Sequence, residues 1–213
     1  MPSIWDTYCE QPGNIVDHSS GAVACDQYHR YAEDIGLMKQ LGVSAYRLSI
    51  AWPRIVPEPG KVNDKGIEHY VRLLDALRDA DIKPVVTLYH WDLPQWAQDR
   101  GGWENRDVSQ WFAEYAAIMA HALGEKVDTW TTLNEPFCVA FLGYGSGVHA
   151  PGISSDLAAL KAVHHLNLAH GLAVEAVRAE LGDGARLSVT LNLPMAYPCL
   201  LYTSDAADDM QCV

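Results

Sequence analysis

Positive charge is scarce in this 213-residue chain, where 15 Lys and Arg stand against 27 Asp and Glu for a formal charge of −12. Nucleic acids and anionic membrane surfaces are held by cationic faces that neutralise phosphate, so neither is expected as a partner. A neutral ligand is indifferent to that field. Long hydrophobic runs are missing too, and none could span a bilayer; the first residues also lack the charged, apolar and small-residue succession of a secretory signal. Cysteine is sparse. Cys9, Cys25, Cys138, Cys199 and Cys212 form no Cys-x-x-Cys pair, which argues against a zinc site or a disulfide framework and for a reducing, cytoplasmic setting. Cys9 and Cys25 are expected to pack as small apolar groups, and Cys138, just past Glu135, to border a pocket.

Several catalytic signatures are missing as well. No Gly-rich loop ends in Lys-Ser or Lys-Thr, so phosphate cradling is not expected. Gly145-Ser146-Gly147 comes near a nucleophile elbow but lacks the strand and helix that should flank it. His164, His165 and His170 share one helical segment, yet no pair has the i, i+4 spacing that sets two imidazoles on one metal. Packing and helix-end polarity are the roles expected of them. No metal or cofactor is expected.

What is present points to an α/β fold. Hydrophobic residues make up 49% of the chain and charged ones 20%, enough apolar material for one sizeable core. Strand-like runs alternate with helix-period runs, the pattern of βα units in a parallel sheet. One helix is expected from Tyr31 to Leu41, stopped by Gly42. A second starts near Asn63-Asp64 and sets Ile67, Tyr70, Val71, Leu74 and Leu77 on one stripe. A third, opened by Asn105 or Asp107, does the same with Val108, Phe112, Tyr115, Met119 and Leu123 before Gly124. The longest runs from about Ser155 to Leu181 and leads through Gly182-Asp183-Gly184 to a strand over Leu187 to Leu191. Upstream strands are read at Ala45 to Trp52 and Val85 to Asp92. Another ends in Thr131-Thr132-Leu133-Asn134-Glu135-Pro136.

That hexapeptide delivers a carboxylate beside an amide where proline stops a β-branched run. Such a pair can protonate a leaving oxygen while a neighbouring hydroxyl is held. The other strand ends, Ser49 to Trp52 and His90-Trp91-Asp92, carry polar and aromatic groups of the kind that face a sugar.

Taken together, Pro2-Ser3-Ile4-Trp5-Asp6-Thr7, Ala24 to Tyr31, Tyr46 to Arg54, Leu88 to Pro94, Gly101-Gly102-Trp103 and Thr132 to Pro136 resemble the signatures of glycoside hydrolase family 1 β-glucosidases, in the family's order. The resemblance covers roughly residues 2 to 198. It implies a (β/α)8 barrel, of which this chain would hold about strands two to five with their helices. Such barrels run to about 250 residues before their loops are lengthened. The family's first-strand glutamine and its late Thr-Glu-Asn-Gly nucleophile motif are not found. Residues 1–198 are therefore expected to be the incomplete N-terminal half of a barrel truncated at both ends. Residues 199–213 are expected to be a disordered or artefactual tail outside the family pattern, from a frame shift or an assembly junction.

By the same resemblance, Glu135 is the general acid/base, Asn134 holds the sugar 2-hydroxyl, and His90 and Trp91 bind the glycone. Arg47 supports the nucleophile, a carboxylate this chain does not carry. The implied activity is retaining hydrolysis of terminal β-D-glucosyl residues from β-glucosides or cello-oligosaccharides, with the fragment inactive alone. A noncatalytic sugar-binding fragment, or half of a β-galactosidase or phospho-β-glucosidase, is the alternative. Oligomeric state is not legible in the sequence.

Overall fold

Runs rich in Val, Leu, Thr and Tyr form one parallel sheet in the computed structural model, which describes residues 2–193. Its strands are β1 (Ala45–Ser49), β2 (Lys83–Tyr89), β3 (Thr129–Asn134) and β4 (Leu187–Thr190), in the order β1-β2-β3-β4. Each crossover between neighbouring parallel strands carries a helix, as parallel pairing demands. The helices in chain order are α1 (Ile4–Glu10), α2 (Gln27–Gln40), α3 (Trp52–Ile55), α4 (Asp64–Asp79), α5 (Gln95–Gln98), α6 (Asp107–Leu123) and α7 (Asp156–Leu181). Of these, α4, α6 and α7 are the long crossover helices.

Register decides which side chains meet. Ser49 pairs with Thr87, Thr87 with Thr131 and Thr131 with Ser188, so a row of hydroxyls crosses the whole sheet at one level. Thr131 and Ser188 hydroxyls lie 2.9 Å apart within that row. Val86, Leu88 and Trp130 are buried in the core shared with the helices.

The stripes expected on the helices are the faces they bury. Val108, Phe112, Tyr115, Met119 and Leu123 of α6 are all inaccessible to solvent or nearly so. Burying a side chain of this kind is worth about 1.5–3 kcal/mol, so α6 is held by this face. On α4, Tyr70, Leu74 and Leu77 are buried while Ile67 and Val71 pack against them half-exposed. The small residues Ala158, Ala159, Ala162, Ala169 and Ala173 let α7 approach closely along its buried side. Ser155 caps that helix by accepting from the Ala158 N–H. Gly66 is required at its place in α4, because a Cβ there would stand 2.6 Å from the Arg54 carbonyl oxygen.

Several elements differ from the sequence reading. β1 stops at Ser49 and β2 at Tyr89, since Trp52 opens α3 and His90 begins the turn to Pro94. α2 starts at Gln27, earlier than Tyr31. The short helices α1, α3 and α5 and a π-helical stretch at Cys138–Gly145 are too brief to show a 3.6 period. Cys25 is exposed and Cys9 half-exposed, contrary to the packed roles expected of them. The connection after α1 carries glycines and turns and no apolar periodicity, so it runs along the surface and leaves Cys25 in solvent.

Among the described residues β1 and β4 have no outer strand partner; Ala45, Arg47 and Ser49 of β1 are exposed and β4 is half-exposed throughout. No helix among the described residues is long and apolar enough to cross a membrane. The expected tail at 199–213, with Cys199 and Cys212, lies outside the described residues.

Candidate active site

The C-terminal ends of β2 and β3 bring four of the five sequence-chosen residues together, and the fifth reaches them from β1. At the end of β3, Asn134 is buried and Glu135 adopts a positive φ of 46°, an uncommon conformation for a residue with a side chain. The Glu135 N–H donates to the Thr190 carbonyl at 2.8 Å, so β4 pins the turn. Glu135 is left half-buried.

Arg47 fixes Asn134. Its Nη2 donates to Asn134 Oδ1 at 2.6 Å and its Nε to Thr87 Oγ1 at 3.1 Å, spanning three strands. With the amide oxygen taken by a guanidinium, Nδ2 is the group Asn134 can offer to a ligand oxygen. The resemblance gave Arg47 to the nucleophile; in this structure its partners are Asn134 and Thr87.

Trp91 also has a positive φ, 78°, and its Nε1 donates to the Asn134 carbonyl at 2.9 Å. The turns after β2 and β3 are thereby tied to each other. The His90 and Trp91 rings meet edge-on at 5.3 Å between centroids. Burial, then the nearby Arg47 cation, lowers the His90 pKa, with Glu135 opposing. His90 is therefore neutral near pH 7 and can present one N–H and one acceptor nitrogen.

A cleft of about 420 Å³ lies beside these residues, lined by Gln27, Tyr46, Arg47, Leu48, Ser49, Thr87 and His90. That volume falls in the range of small-molecule sites. Asn134 adjoins it through Arg47, and Glu135 stands outside the lining. Next to Glu135, Cys138 is buried with its Sγ 3.4 Å from Glu135 Oε2, and it is not among the residues lining the cleft it was expected to border.

Sequence reasoning gave no individual role to three neighbours. The His149 ring lies 5.3 Å from Trp91 and 5.5 Å from Trp5, continuing an aromatic wall along the site. Neither residue has a spacing signal; they meet only through the fold. Asp92 was read only as one of the polar strand-end groups of the kind that face a sugar. It is half-buried, with its Oδ1 shielded from solvent, and loss of water around it pushes its carboxyl up to about 7 against the pull of backbone N–H groups of Asp92, His90 and Trp52. An acid directly after an apolar strand was the signal available for it.

Trp52, Trp103, His165 and His170 are tied into the packing of the fold. Trp52 stacks on Tyr115 at 5.2 Å, and Trp103 donates from Nε1 to the Tyr89 hydroxyl. His165 Nδ1 lies 2.8 Å from the Trp103 carbonyl and His170 Nδ1 lies 2.7 Å from Thr132 Oγ1, each packing α7 against its neighbours. Among the described residues no three His, Cys, Asp or Glu side chains are placed to hold a metal.

Four parallel strands joined by helical crossovers, with an Asn-Glu pair and a His-Trp pair at the strand ends, define a piece of a (β/α)8 glycosidase barrel. The chain belongs to glycosyl hydrolase family 1, whose model matches residues 1–213. It is 48% identical over 210 residues to Beta-glucosidase A of Acetivibrio thermocellus, covering 98% of this chain and 46% of that protein. To the bifunctional beta-D-glucosidase/beta-D-fucosidase of Bifidobacterium breve it is 51% identical over 197 residues, covering 90% of this chain and 43% of the other. Among solved structures, Beta-glucosidase from Thermotoga maritima in complex with noeuromycin superposes with a TM-score of 0.90 at 46% identity, covering 93% of this chain and 45% of that one. The AHE enzyme from Alicyclobacillus herbarius gives 0.92 at 52% identity, covering 98% and 47%. The chain spans a little under half the length of these relatives.

Proposed function

We propose that this chain supplies the acid/base half of a retaining β-glucosidase site, acting on terminal β-D-glucosyl residues of β-glucosides or cello-oligosaccharides. The observation that supports the reading is the Arg47–Asn134–Glu135 turn. A guanidinium locks the amide, and the next residue projects a half-buried carboxylate from a strained position. Strain at a strand end is a frequent companion of function.

In this reading Glu135 protonates the glycosidic oxygen while a second carboxylate, about 5 Å away, attacks the anomeric carbon. The C–O bond to the leaving group breaks as the glycosyl–carboxylate bond forms. Glu135, now ionised, takes a proton from water, and the resulting hydroxide displaces the enzyme carboxylate. Asn134 Nδ2 donates to the sugar 2-hydroxyl, a contact that strengthens in the oxocarbenium-like transition state. Neutral His90 donates to a glycone hydroxyl and Trp91 lines the ring. The nucleophile comes from a complementary half-barrel that packs against the β1 and β4 edges, so the chain by itself is inactive. Its thiols suit the cytoplasm.

The test is complementation. Alone, the purified chain leaves 4-nitrophenyl β-D-glucoside intact; mixed with the unmatched C-terminal half of a relative such as the Acetivibrio enzyme, it hydrolyses the substrate. Glu135→Gln in this chain lowers that rate by at least about a hundredfold. Undiminished turnover by the Glu135→Gln assembly would overturn the assignment of Glu135, and turnover by the chain alone would overturn the need for a second half.

A further inference from the structure

Cys138 returns to Glu135 one helical turn later. The chain enters a helical path directly after β3, with the Cys138 N–H donating to the Glu135 carbonyl at 2.9 Å, and i, i+3 spacing brings the two side chains together. Sγ sits 3.4 Å from Glu135 Oε2, and Asn192 Nδ2 donates to Sγ at 3.5 Å. The sulfur accepts from the amide and its own proton points to the carboxylate. Among the described residues this is the sole hydrogen bond to the Glu135 side chain. Only 7% of Cys138 is exposed, so water does not replace the contact.

We propose that Cys138 is a positioning residue for Glu135, its S–H holding Oε2 so that the other oxygen, Oε1, faces the reacting atoms. The inference rests on reading Glu135 as the acid/base. A thiol suits this task because it is a weak donor. An ammonium or guanidinium in its place would favour the ionised carboxylate strongly, whereas an acid/base must carry a proton in one step and lose it in the next. The thiol stays protonated to play this part: burial first, then the hydrogen bond to Glu135, pushes it above its ordinary range. Packing alone would be met by Val, which fills similar space and donates nothing.

The contact is reciprocal, so it can be read from the sulfur without any turnover. The full chain is treated with iodoacetamide across pH 7 to 10, and the labelling of each cysteine is followed by peptide mass spectrometry. Thiolate is the reacting form. Glu135→Gln is expected to raise the Cys138 rate at pH 8 about fivefold and to move its half-maximal labelling to lower pH, while Cys9 and Cys25 keep their rates. A loosened loop would raise the rate without moving that pH. In a chain carrying 13C-labelled glutamate, Cys138→Val is expected to shift and broaden the Glu135 carboxyl resonance, and Cys138→Ser to restore most of its position. A Cys138 labelling profile that Glu135→Gln leaves in place, or a Glu135 resonance that Cys138→Val does not disturb, overturns the proposal. Neither readout depends on complementation, so loss of the glycosidase reading is distinguishable from loss of this one.

Discussion

Half-buried Asp92 and buried His69 are ionisable groups whose pKa values move in opposite senses, and their effects on stability cancel over part of the acid range. Burial raises Asp92 from its ordinary 3.8 to about 7. Burial first, then Arg54, Arg72 and His29, lowers His69 from 6.5 to about 4. The His69 ring is enclosed by Tyr28 at 4.0 Å, Tyr31 at 5.6 Å and Tyr70 at 5.1 Å, and only 2% of the residue is exposed. Between pH 4 and about 6.5 the folded chain holds a proton on Asp92 that the unfolded chain has released, so this group makes stability fall as pH rises. Over the same range the unfolded chain holds a proton on His69 that the folded chain lacks, so this group makes stability rise. Each slope is about 1.4 kcal/mol per pH unit, worth about 3–4 kcal/mol when its full range is crossed.

Replacing either group should therefore expose the other. In Asp92→Asn, which mimics the protonated acid, urea midpoints between pH 4 and 6.5 are expected to rise with pH more steeply than in the parent chain, by about 1 kcal/mol per pH unit or more. In His69→Phe they are expected to fall from pH 4 to 7 by a comparable amount. The measurement is urea unfolding by circular dichroism at half-unit pH steps, read as the difference between variant and parent so that all other carboxylates cancel. Parallel curves for Asp92→Asn and the parent would refute the reasoning, because an acid protonated in the native state must contribute this slope.

Phe112→Ala is expected to cost about 3–5 kcal/mol in urea unfolding, since the ring is inaccessible and meets Trp52, Tyr89, Trp103 and Tyr115. Ser155→Ala removes the side-chain cap of α7 and should lower stability by about 1 kcal/mol, seen as a shift of the same transition. Arg47→Met frees Asn134 Oδ1; because Arg47 is exposed, the stability cost is discounted to about 1 kcal/mol or less. The complemented assembly carrying Arg47→Met should nevertheless lose at least about tenfold in kcat/KM, as the amide is no longer held toward its ligand.

Much of this architecture was legible because local patterns and buried faces coincide. The α6 stripe read from the sequence lies within the buried face of that helix, and the longest helix begins beside Ser155, where the sequence reading started it. The candidate pair was legible for a similar reason: Asn134-Glu135-Pro136 closes a β-branched strand, and parallel α/β sheets display their chemistry there. The short helices and the surface course of Cys25 were not legible, because they follow from loops that carry no period.

Residue types and their spacing determined by themselves that β and α elements alternate, that Glu135 follows β3 and that His90 and Trp91 follow β2. Only the tertiary structure decided what those groups do to one another. Arg47 reaches Asn134 because three strands lie in register, His149 and Trp5 flank Trp91 because separate loops converge, and Asp92 and His69 change their pKa values because helices and loops close water out around them. Contacts between residues far apart in the chain depend on how the elements pack, and that packing is a property of the whole core and not of any single segment.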